Sequence, residues 1–262
     1  MIFSKDTAAI YDLLLLQHAV KYNLNDRKER DRSVKDLERF FFKSIEAIEP
    51  DLFLEVGARD AFASSRAKKT LKDKTNVVAY EANETNYGEH KKRLKKEGVN
   101  YIHAAVADSS DGVTFKLRVD AKGRVMADGQ SSLLEHSEHE TGYKEVSVPS
   151  VTMDDIFSEH LPQSAVLWVD VEGALGIVFS RYTRKSFKRT KMVFVEVEDR
   201  PYWPGQILRH DVDRLFFKQG FIPIARDYQS RYQYNVIYID KKLLTQNDLF
   251  RRRLSEFYSG DA

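Results

Sequence analysis

Acidic residues close three apolar stretches of this chain. Glu55 ends one stretch, Glu81 ends the next, and Asp170 and Glu172 follow a later one. If these stretches are parallel strands, their carboxyl ends meet at one edge of a sheet, where open α/β sheets bind ligands. Carboxylates at that edge can bind a cation, accept hydrogen bonds from hydroxyl groups or take up a proton. The spacing therefore predicts a ligand that carries positive charge and hydroxyl groups.

The turn after the first stretch contains Gly57, Ala58 and Asp60. Gly57 lets the backbone approach a ligand closely. It is the single glycine of the turn, so the G-x-G-x-x-G pattern is absent, which counts against a pyrophosphate cradle and a nicotinamide cofactor. The acidic Glu55 suits a cationic ligand instead, and S-adenosylmethionine carries a sulfonium and an ammonium group. An ordinary strand-to-helix turn remains the alternative explanation.

Glu81 and Ala82 lie about 25 residues after the first turn, where an acidic side chain can accept hydrogen bonds from both ribose hydroxyls of a nucleotide. A solvated carboxylate at a strand end is the alternative. Ala105 and Val106, at the end of the third stretch, are small enough to line a flat adenine slot. Together these positions predict S-adenosylmethionine as the cofactor, because it combines a nucleoside with positive charge.

Asp170 and Glu172 are expected beside the methyl donor, and we predict that they are catalytic. Asp170 could accept the proton of an attacking hydroxyl group and touch the cofactor as well. The two carboxylates could instead hold a divalent cation with help from Glu196 or Glu198, or pair with an arginine. We favour the base over the metal and assign no metal ligands.

The apolar stretches alternate with amphipathic ones, which is typical of βαβ units and a parallel sheet. Two further apolar stretches, 221–225 and 234–239, are separated by a short link, so they can form a hairpin. An antiparallel strand at this point distinguishes the methyltransferase version of the architecture from the dinucleotide-binding version. We therefore predict an α/β fold with a Rossmann-like, seven-stranded sheet that is mostly parallel, with the last strand antiparallel.

Residues 1–50 are predicted to be a helical N-terminal appendage, and residues 51–262 the Rossmann-like domain. Helices are expected at 6–22 and from Ser33, which could cap the second helix, to Pro50. These helices could join two copies of the chain in a homodimer or cover the active site. A polar loop at 120–142 is long enough to be a lid.

Composition excludes several classes of protein. The net charge of +2 does not indicate a nucleic-acid or membrane partner. The absence of cysteine excludes disulfides, thiolate metal sites and cysteine nucleophiles. The apolar run at 13–16 is too short for a signal peptide or a membrane span, so a cytoplasmic protein is expected.

Several of these motifs occur together in the order and spacing of FkbM-type methyltransferases, which this chain resembles over roughly residues 51–240. The motifs are Glu55-Val56-Gly57-Ala58, Tyr80-Glu81-Ala82-Asn83, Ser131-Ser132-Leu133, Val151-Thr152-Met153-Asp154, Asp170-Val171-Glu172-Gly173, Phe194-Val195-Glu196-Val197 and Gly220-Phe221. The resemblance implies an S-adenosylmethionine-binding fold. It also implies that the turn at 57–60 holds the methionine part, Glu81 the ribose and Ala105 the adenine.

The turn departs from the family pattern at three positions. The family usually has Asp, Asn and Gly where this chain has Glu55, Arg59 and Ala61. Arg59 places a bulky cation near a cationic cofactor, where it could contact the carboxylate of the methionine moiety or point away.

The family usually methylates hydroxyl groups of sugars or other secondary metabolites, so we predict an O-methyltransferase with a small-molecule or glycan acceptor. A nucleic-acid methyltransferase is one alternative. The chain lacks an Asn-Pro-Pro-aromatic segment and the cysteine that cytosine-C5 transfer needs, but ribose methylation of RNA stays open. A non-catalytic module that kept the fold is the other alternative, and the altered turn is its best support.

Overall fold

The computed structural model describes residues 5–71, 74–126, 129–137 and 142–260. In these ranges the strands are β1 Leu52–Val56, β2 Asn76–Glu81, β3 Asn100–His103, β4 Ala105–Val106, β5 Val113–Arg118, β6 Tyr143–Val148, β7 Ser150–Val151, β8 Ala165–Val169, β9 Thr190–Glu198, β10 Phe221–Arg226 and β11 Gln233–Asp240. The α-helices are α1 Lys5–Gln17, α2 Arg27–Ile48, α3 Phe62–Leu71, α4 Glu84–Glu97, α5 Met153–His160, α6 Leu175–Val178, α7 Arg184–Arg189, α8 Arg209–Lys218, α9 Leu243–Gln246 and α10 Asp248–Ser259.

Seven strands form one sheet in the order β10-β11-β9-β8-β1-β2-β3. β11 runs antiparallel to both of its neighbours, β9 and β10, whereas β9, β8, β1, β2 and β3 pair in parallel. The predicted fold class is therefore confirmed, including the inserted antiparallel strand. Val56 is in register with Tyr80 on one side and with Val169 on the other, so the carboxyl ends of β1, β2 and β8 lie side by side.

Side chains of each strand point alternately to the two faces of the sheet. A hydrophobic core covers each face. Phe53 of β1 points to a core that it shares with Phe40 and Phe41 of α2. Its neighbour Leu54 points to the opposite core, with Phe216 of α8. Residues of α2 thus belong to the same hydrophobic core as the central strands.

The second helix starts earlier than predicted. α2 begins at Arg27, and the side chain of Asp26 caps it by accepting a hydrogen bond from Lys28 N at 2.9 Å. Ser33 lies buried within the helix, where its hydroxyl donates to Arg30 O at 2.6 Å and accepts from Tyr228 N at 2.9 Å. The prediction of a cap at Ser33 was wrong because a serine can satisfy its hydroxyl on its own helix as well as at a helix start.

The third apolar stretch, which ends with Ala105 and Val106, is split into two strands. β3 belongs to the large sheet, while β4 pairs in parallel with β7. β5 and β6 form an antiparallel hairpin. The residues 129–137, here called the strap, run from this hairpin across the carboxyl edge of the large sheet, where Ser132 Oγ donates to Glu172 O at 2.7 Å. Among the helices that the structure describes, none is long and apolar enough to cross a membrane.

Candidate active site

A cavity of about 620 Å³, mouth included, opens at the carboxyl edge of the sheet, between the ends of β1, β2 and β8 and the strap. Its wall combines acidic and amide side chains from the strand ends with small apolar residues from β4 and hydroxyl groups from the strap. The residues that line it are Val56, Gly57, Arg59, Tyr80, Glu81, Ala82, Asn83, Asn86, Ala104, Ala105, Val106, Phe115, Gly129, Ser131, Ser132, Leu133, Asp170, Val171, Glu172, Ala174 and Val178.

The turn after β1 is pressed against the end of β8. A Cβ atom on Gly57 would lie 1.7 Å from the carbonyl oxygen of Asp170, and the φ of Gly57 is +76°. Only glycine can occupy this position, because any side chain would overlap the neighbouring backbone. The amides of Gly57 and Ala58 both donate to Tyr80 O, at 3.2 and 3.0 Å, which ties the turn to β2.

Glu81 lies on the cavity wall and is 6% exposed. One carboxylate oxygen accepts from Arg59 N at 2.5 Å, and the other accepts from Asn83 N at 2.7 Å. Burial raises the pKa of Glu81, while the backbone amides of Asn83 and Arg59, a hydrogen bond with the Asn86 side chain and the Arg59 guanidinium lower it. These three hydrogen bonds use three of the four lone pairs of the carboxylate, so one remains for a hydroxyl group from the cavity side.

The opposite wall of the cavity is apolar. Ala105 and Val106 of β4 are nearly fully buried, and Ala82 is in contact with the same small core as Phe115. The backbone amide of Ala105 donates to Pro149 O at 2.8 Å, so the loop before β7 fixes this wall. Small side chains on one side and an aromatic ring in the same wall suit a flat heterocycle.

Asp170 and Glu172 also line the cavity, beside carboxylates of β9. Carboxylate oxygens of Asp170, Glu172 and Glu196 lie within 4.8 Å of one another. Burial raises the pKa of Asp170 to about 6, although the Arg59 guanidinium lowers it. Burial and the neighbouring carboxylates raise the pKa of Glu196 well above its ordinary value, and burial with Asp170 raises that of Glu198 to about 7. This acidic cluster can hold a proton near neutral pH, and its geometry also allows a cation.

Three of the residues expected to bind the cofactor do not line the cavity. Glu55 is buried on the other face of β1 and accepts from Ser64 N, at the start of α3, at 2.6 Å. Burial raises the pKa of Glu55 to about 8, against the lowering effect of its hydrogen bonds to Ser64 and Ala63. Ala58 packs in the core behind the turn, and Asp60 presents its carbonyl oxygen to Arg93. The other predicted residues are brought together at the cavity.

The aromatic segment after β9 packs against the strap. His136 of the strap stacks on Tyr202, with ring centroids 5.4 Å apart. Trp203 is 3% exposed and covers Gly173, where an added Cβ would lie 2.6 Å from the indole. Trp203 therefore supports the turn that carries Glu172, whereas Tyr202 is half-buried beside the strap.

Sequence reasoning gave no role to Phe115 and Asn86 of the cavity wall, and it assigned the strap only to a loop long enough to be a lid. Phe115 lies on β5 and Asn86 on α4, and the polar loop contributes Gly129, Ser131, Ser132 and Leu133 of the strap. The motif Ser131-Ser132-Leu133 was the one available signal for the strap. Phe115 and Asn86 carry no such signal, because their positions depend on how the hairpin and α4 pack against the sheet.

The chemistry of the wall fits S-adenosylmethionine. A buried carboxylate with a remaining lone pair suits a ribose hydroxyl, the small apolar wall suits adenine, and the carboxylates of Asp170 and Glu172 suit a sulfonium and an ammonium group. Glu81, Ala82, Ala105, Val106 and Asp170 would hold the cofactor from three strand ends.

A family model described as the methyltransferase FkbM domain matches residues 55–223. No curated protein matches the chain. A SAM-dependent methyltransferase from Aquifex aeolicus is 12% identical, with 82% of this chain and 98% of that chain covered and a TM-score of 0.40. An O-methyltransferase from Bacillus cereus in complex with SAH is 8% identical, with 76% and 79% covered and a TM-score of 0.40. A precorrin-6y C5,15-methyltransferase from Geobacter metallireducens is 11% identical, with 75% and 85% covered and a TM-score of 0.38.

The family match spans more than half of the 262 residues. It includes the turn after β1, the carboxyl ends of β2 and β8 and the strap, which together form the cavity. The chain therefore belongs to the FkbM family of methyltransferases and uses S-adenosylmethionine as its methyl donor.

Proposed function

We propose that this enzyme transfers a methyl group to a hydroxyl group of a sugar, a glycan or a related small molecule. The observation that carries the proposal is the position of Asp170. Its carboxylate lines the same cavity as Glu81, and burial raises its pKa to about 6. A carboxylate with such a pKa is ionised at neutral pH and is a better proton acceptor than an ordinary aspartate.

Bound S-adenosylmethionine supplies an electrophilic methyl group for direct transfer to the acceptor oxygen. Glu81 would accept a ribose hydroxyl and so fix the nucleoside end. Asp170 takes the proton of the acceptor hydroxyl at one of its carboxylate oxygens as the oxygen attacks. Glu196, whose carboxylate lies within reach of Asp170, is held by Gln233 through a 2.9 Å hydrogen bond and can share that proton.

The acceptor side supports a polar, uncharged or cationic substrate. The carboxylates of Asp170 and Glu172 on this wall, with Glu81, disfavour an anionic acceptor. A sugar hydroxyl meets the requirement because it is neutral and its proton can be taken by a carboxylate.

The proposal is tested with purified protein and methyl-labelled S-adenosylmethionine. We expect label to enter a panel of mono- and oligosaccharides with free hydroxyls, and to be absent from the same sugars after permethylation. Asp170→Asn should reduce transfer about 100- to 10,000-fold, whereas Asp248→Asn, an exposed aspartate of α10 paired with Arg251, should leave it unchanged. Transfer to RNA or to amines without transfer to hydroxyl-bearing sugars would refute the proposal.

A further inference from the structure

Arg59 is the basic residue of the cavity wall. Among the residues that line the cavity in the described ranges, three are acidic, namely Glu81, Asp170 and Glu172, and Arg59 alone is basic. S-adenosylmethionine has the opposite charges, because it carries two cationic groups and a single carboxylate. The carboxylates of the wall match the cationic groups, which leaves Arg59 as the counterpart of the cofactor's carboxylate.

Most backbone amides of the turn are not available to bind the cofactor's carboxylate. The amides of Gly57 and Ala58 donate to Tyr80 O, and the amide of Arg59 donates to Glu81. The amide of Ala61 donates to Ala58 O at 2.5 Å. Four of the amides at 57–61 are therefore already used inside the protein, so a carboxylate at this turn must be bound mainly by a side chain.

The position of the Arg59 side chain agrees with this role. No carboxylate of the described residues forms an ion pair with its guanidinium, yet the guanidinium is close enough to Asp170 and Glu81 to lower the pKa of both. A Cβ atom on Gly129 of the strap would lie 3.5 Å from an Arg59 guanidinium nitrogen. The guanidinium thus lies under the strap, between the ends of β2 and β8.

The backbone of Arg59 is fixed in an unusual conformation. Its φ is +48°, in the left-handed region, and both of its backbone polar groups are bonded, because Tyr101 donates its hydroxyl to Arg59 O. A residue without glycine's freedom in this region costs stability. The turn keeps Arg59 in this conformation and so directs a long cationic side chain to one place.

We propose that Arg59 binds the methionine carboxylate of S-adenosylmethionine and so replaces the backbone contacts that a glycine-rich turn would supply. This inference shares S-adenosylmethionine with the proposed function, and it does not depend on the identity of the acceptor. A planar guanidinium can bind a carboxylate with two parallel hydrogen bonds. Arg59, which differs from the usual residue of the family, then supplies one contact to the cofactor in place of another.

The test compares two ligands by calorimetry. S-adenosylhomocysteine contains the carboxylate, whereas 5′-methylthioadenosine keeps the nucleoside and lacks the whole amino-acid part. For Arg59→Gln we expect the Kd of S-adenosylhomocysteine to rise about 10- to 100-fold, the loss of a charge-assisted contact, and the Kd of 5′-methylthioadenosine to change less than about twofold. Arg214→Gln, on the exposed side of α8, is the matched control and should change neither.

A decarboxylated S-adenosylhomocysteine separates the carboxylate from the ammonium group. The native protein should bind it about as weakly as Arg59→Gln binds S-adenosylhomocysteine, and the variant should bind it like the native protein. Equal affinity of native protein and Arg59→Gln for S-adenosylhomocysteine would overturn the inference, as would an equal loss for both ligands. If the proposed acceptor is wrong, methyl transfer to sugars will be absent while these affinities remain as expected.

Discussion

Replacement of Glu81 by Gln tests the predicted ribose site most directly. The carboxylate of Glu81 accepts from Arg59 N, Asn83 N and the Asn86 side chain, and one lone pair remains for a ribose hydroxyl. Gln converts one oxygen into an NH2 group, which donates and cannot accept. The ribose contact is then either lost or deprived of its charge.

The expected loss in affinity follows from these contacts. A hydrogen bond to a charged group contributes about 1.5–3 kcal/mol, so the Kd for S-adenosylhomocysteine should rise about 10- to 150-fold. The Kd for 5′-methylthioadenosine should rise by a similar factor, because this ligand keeps the ribose. In this respect Glu81→Gln differs from Arg59→Gln.

Stability must be measured alongside affinity, because the NH2 group also faces a backbone amide. The amide of Arg59 or of Asn83 loses its acceptor, which costs about 1–3 kcal/mol of unfolding free energy, and relief of the buried charge offsets part of it. Urea unfolding and calorimetry are run on native protein, Glu81→Gln and the exposed Glu145→Gln of β6. A folded Glu81→Gln protein that binds S-adenosylhomocysteine within about twofold of native would refute the ribose assignment.

Four further outcomes are expected. The native transfer rate should fall as pH drops through about 6, because protonated Asp170 cannot take up a proton; a flat profile between pH 5 and pH 8 would contradict this. Dialysis against a chelator should leave the rate unchanged, whereas a loss restored by Mg²⁺ would make the acidic cluster a metal site. Gly57→Ala should lower the unfolding free energy by about 3 kcal/mol or more, since its Cβ meets the Asp170 carbonyl; an unchanged urea midpoint would contradict the close approach. Glu55 has a folded pKa of about 8 against 4.5 for the free group, so its native form loses stability as pH rises between these values. The advantage of Glu55→Gln in urea unfolding should therefore grow from near zero at pH 4 to about 3 kcal/mol at pH 7, and a constant difference would count against the burial of a charge.

Much of the fold could be predicted because its periodic signals are local. The apolar stretches predicted a seven-stranded, mostly parallel sheet. The stretches at 221–225 and 234–239 match β10 and β11 to within one residue at each end, and the short link between them predicted their hairpin. The start of α2 was harder to predict from the sequence. Asp26 and Ser33 are both good caps by residue type, and only the packing of α2 against Tyr228 and the core decides that Ser33 lies inside the helix.

The candidate site was partly predictable for a related reason. Residues at the carboxyl ends of parallel strands converge, so the placement of Glu81 and Asp170 in one cavity followed from sequence position. Glu55 shows what the sequence could not predict about the site. Alternation along β1 assigns Glu55 to the face of Phe53, but no local pattern says that the cavity opens on the other side.

By itself, the sequence determined the alternation of strands and helices, the acidic residues at the strand ends and the need for glycine near position 57. These depend on neighbours along the chain and on the period of each element. The tertiary structure decided which distant residues meet at the cavity. The hydroxyl of Ser132 bonds the carbonyl of Glu172, the carboxylate of Asp170 lies near that of Glu196, and the Arg59 guanidinium lies beside Gly129. These pairs are far apart in sequence, and their contacts depend on the packing of whole elements, which no spacing of residues along the chain encodes.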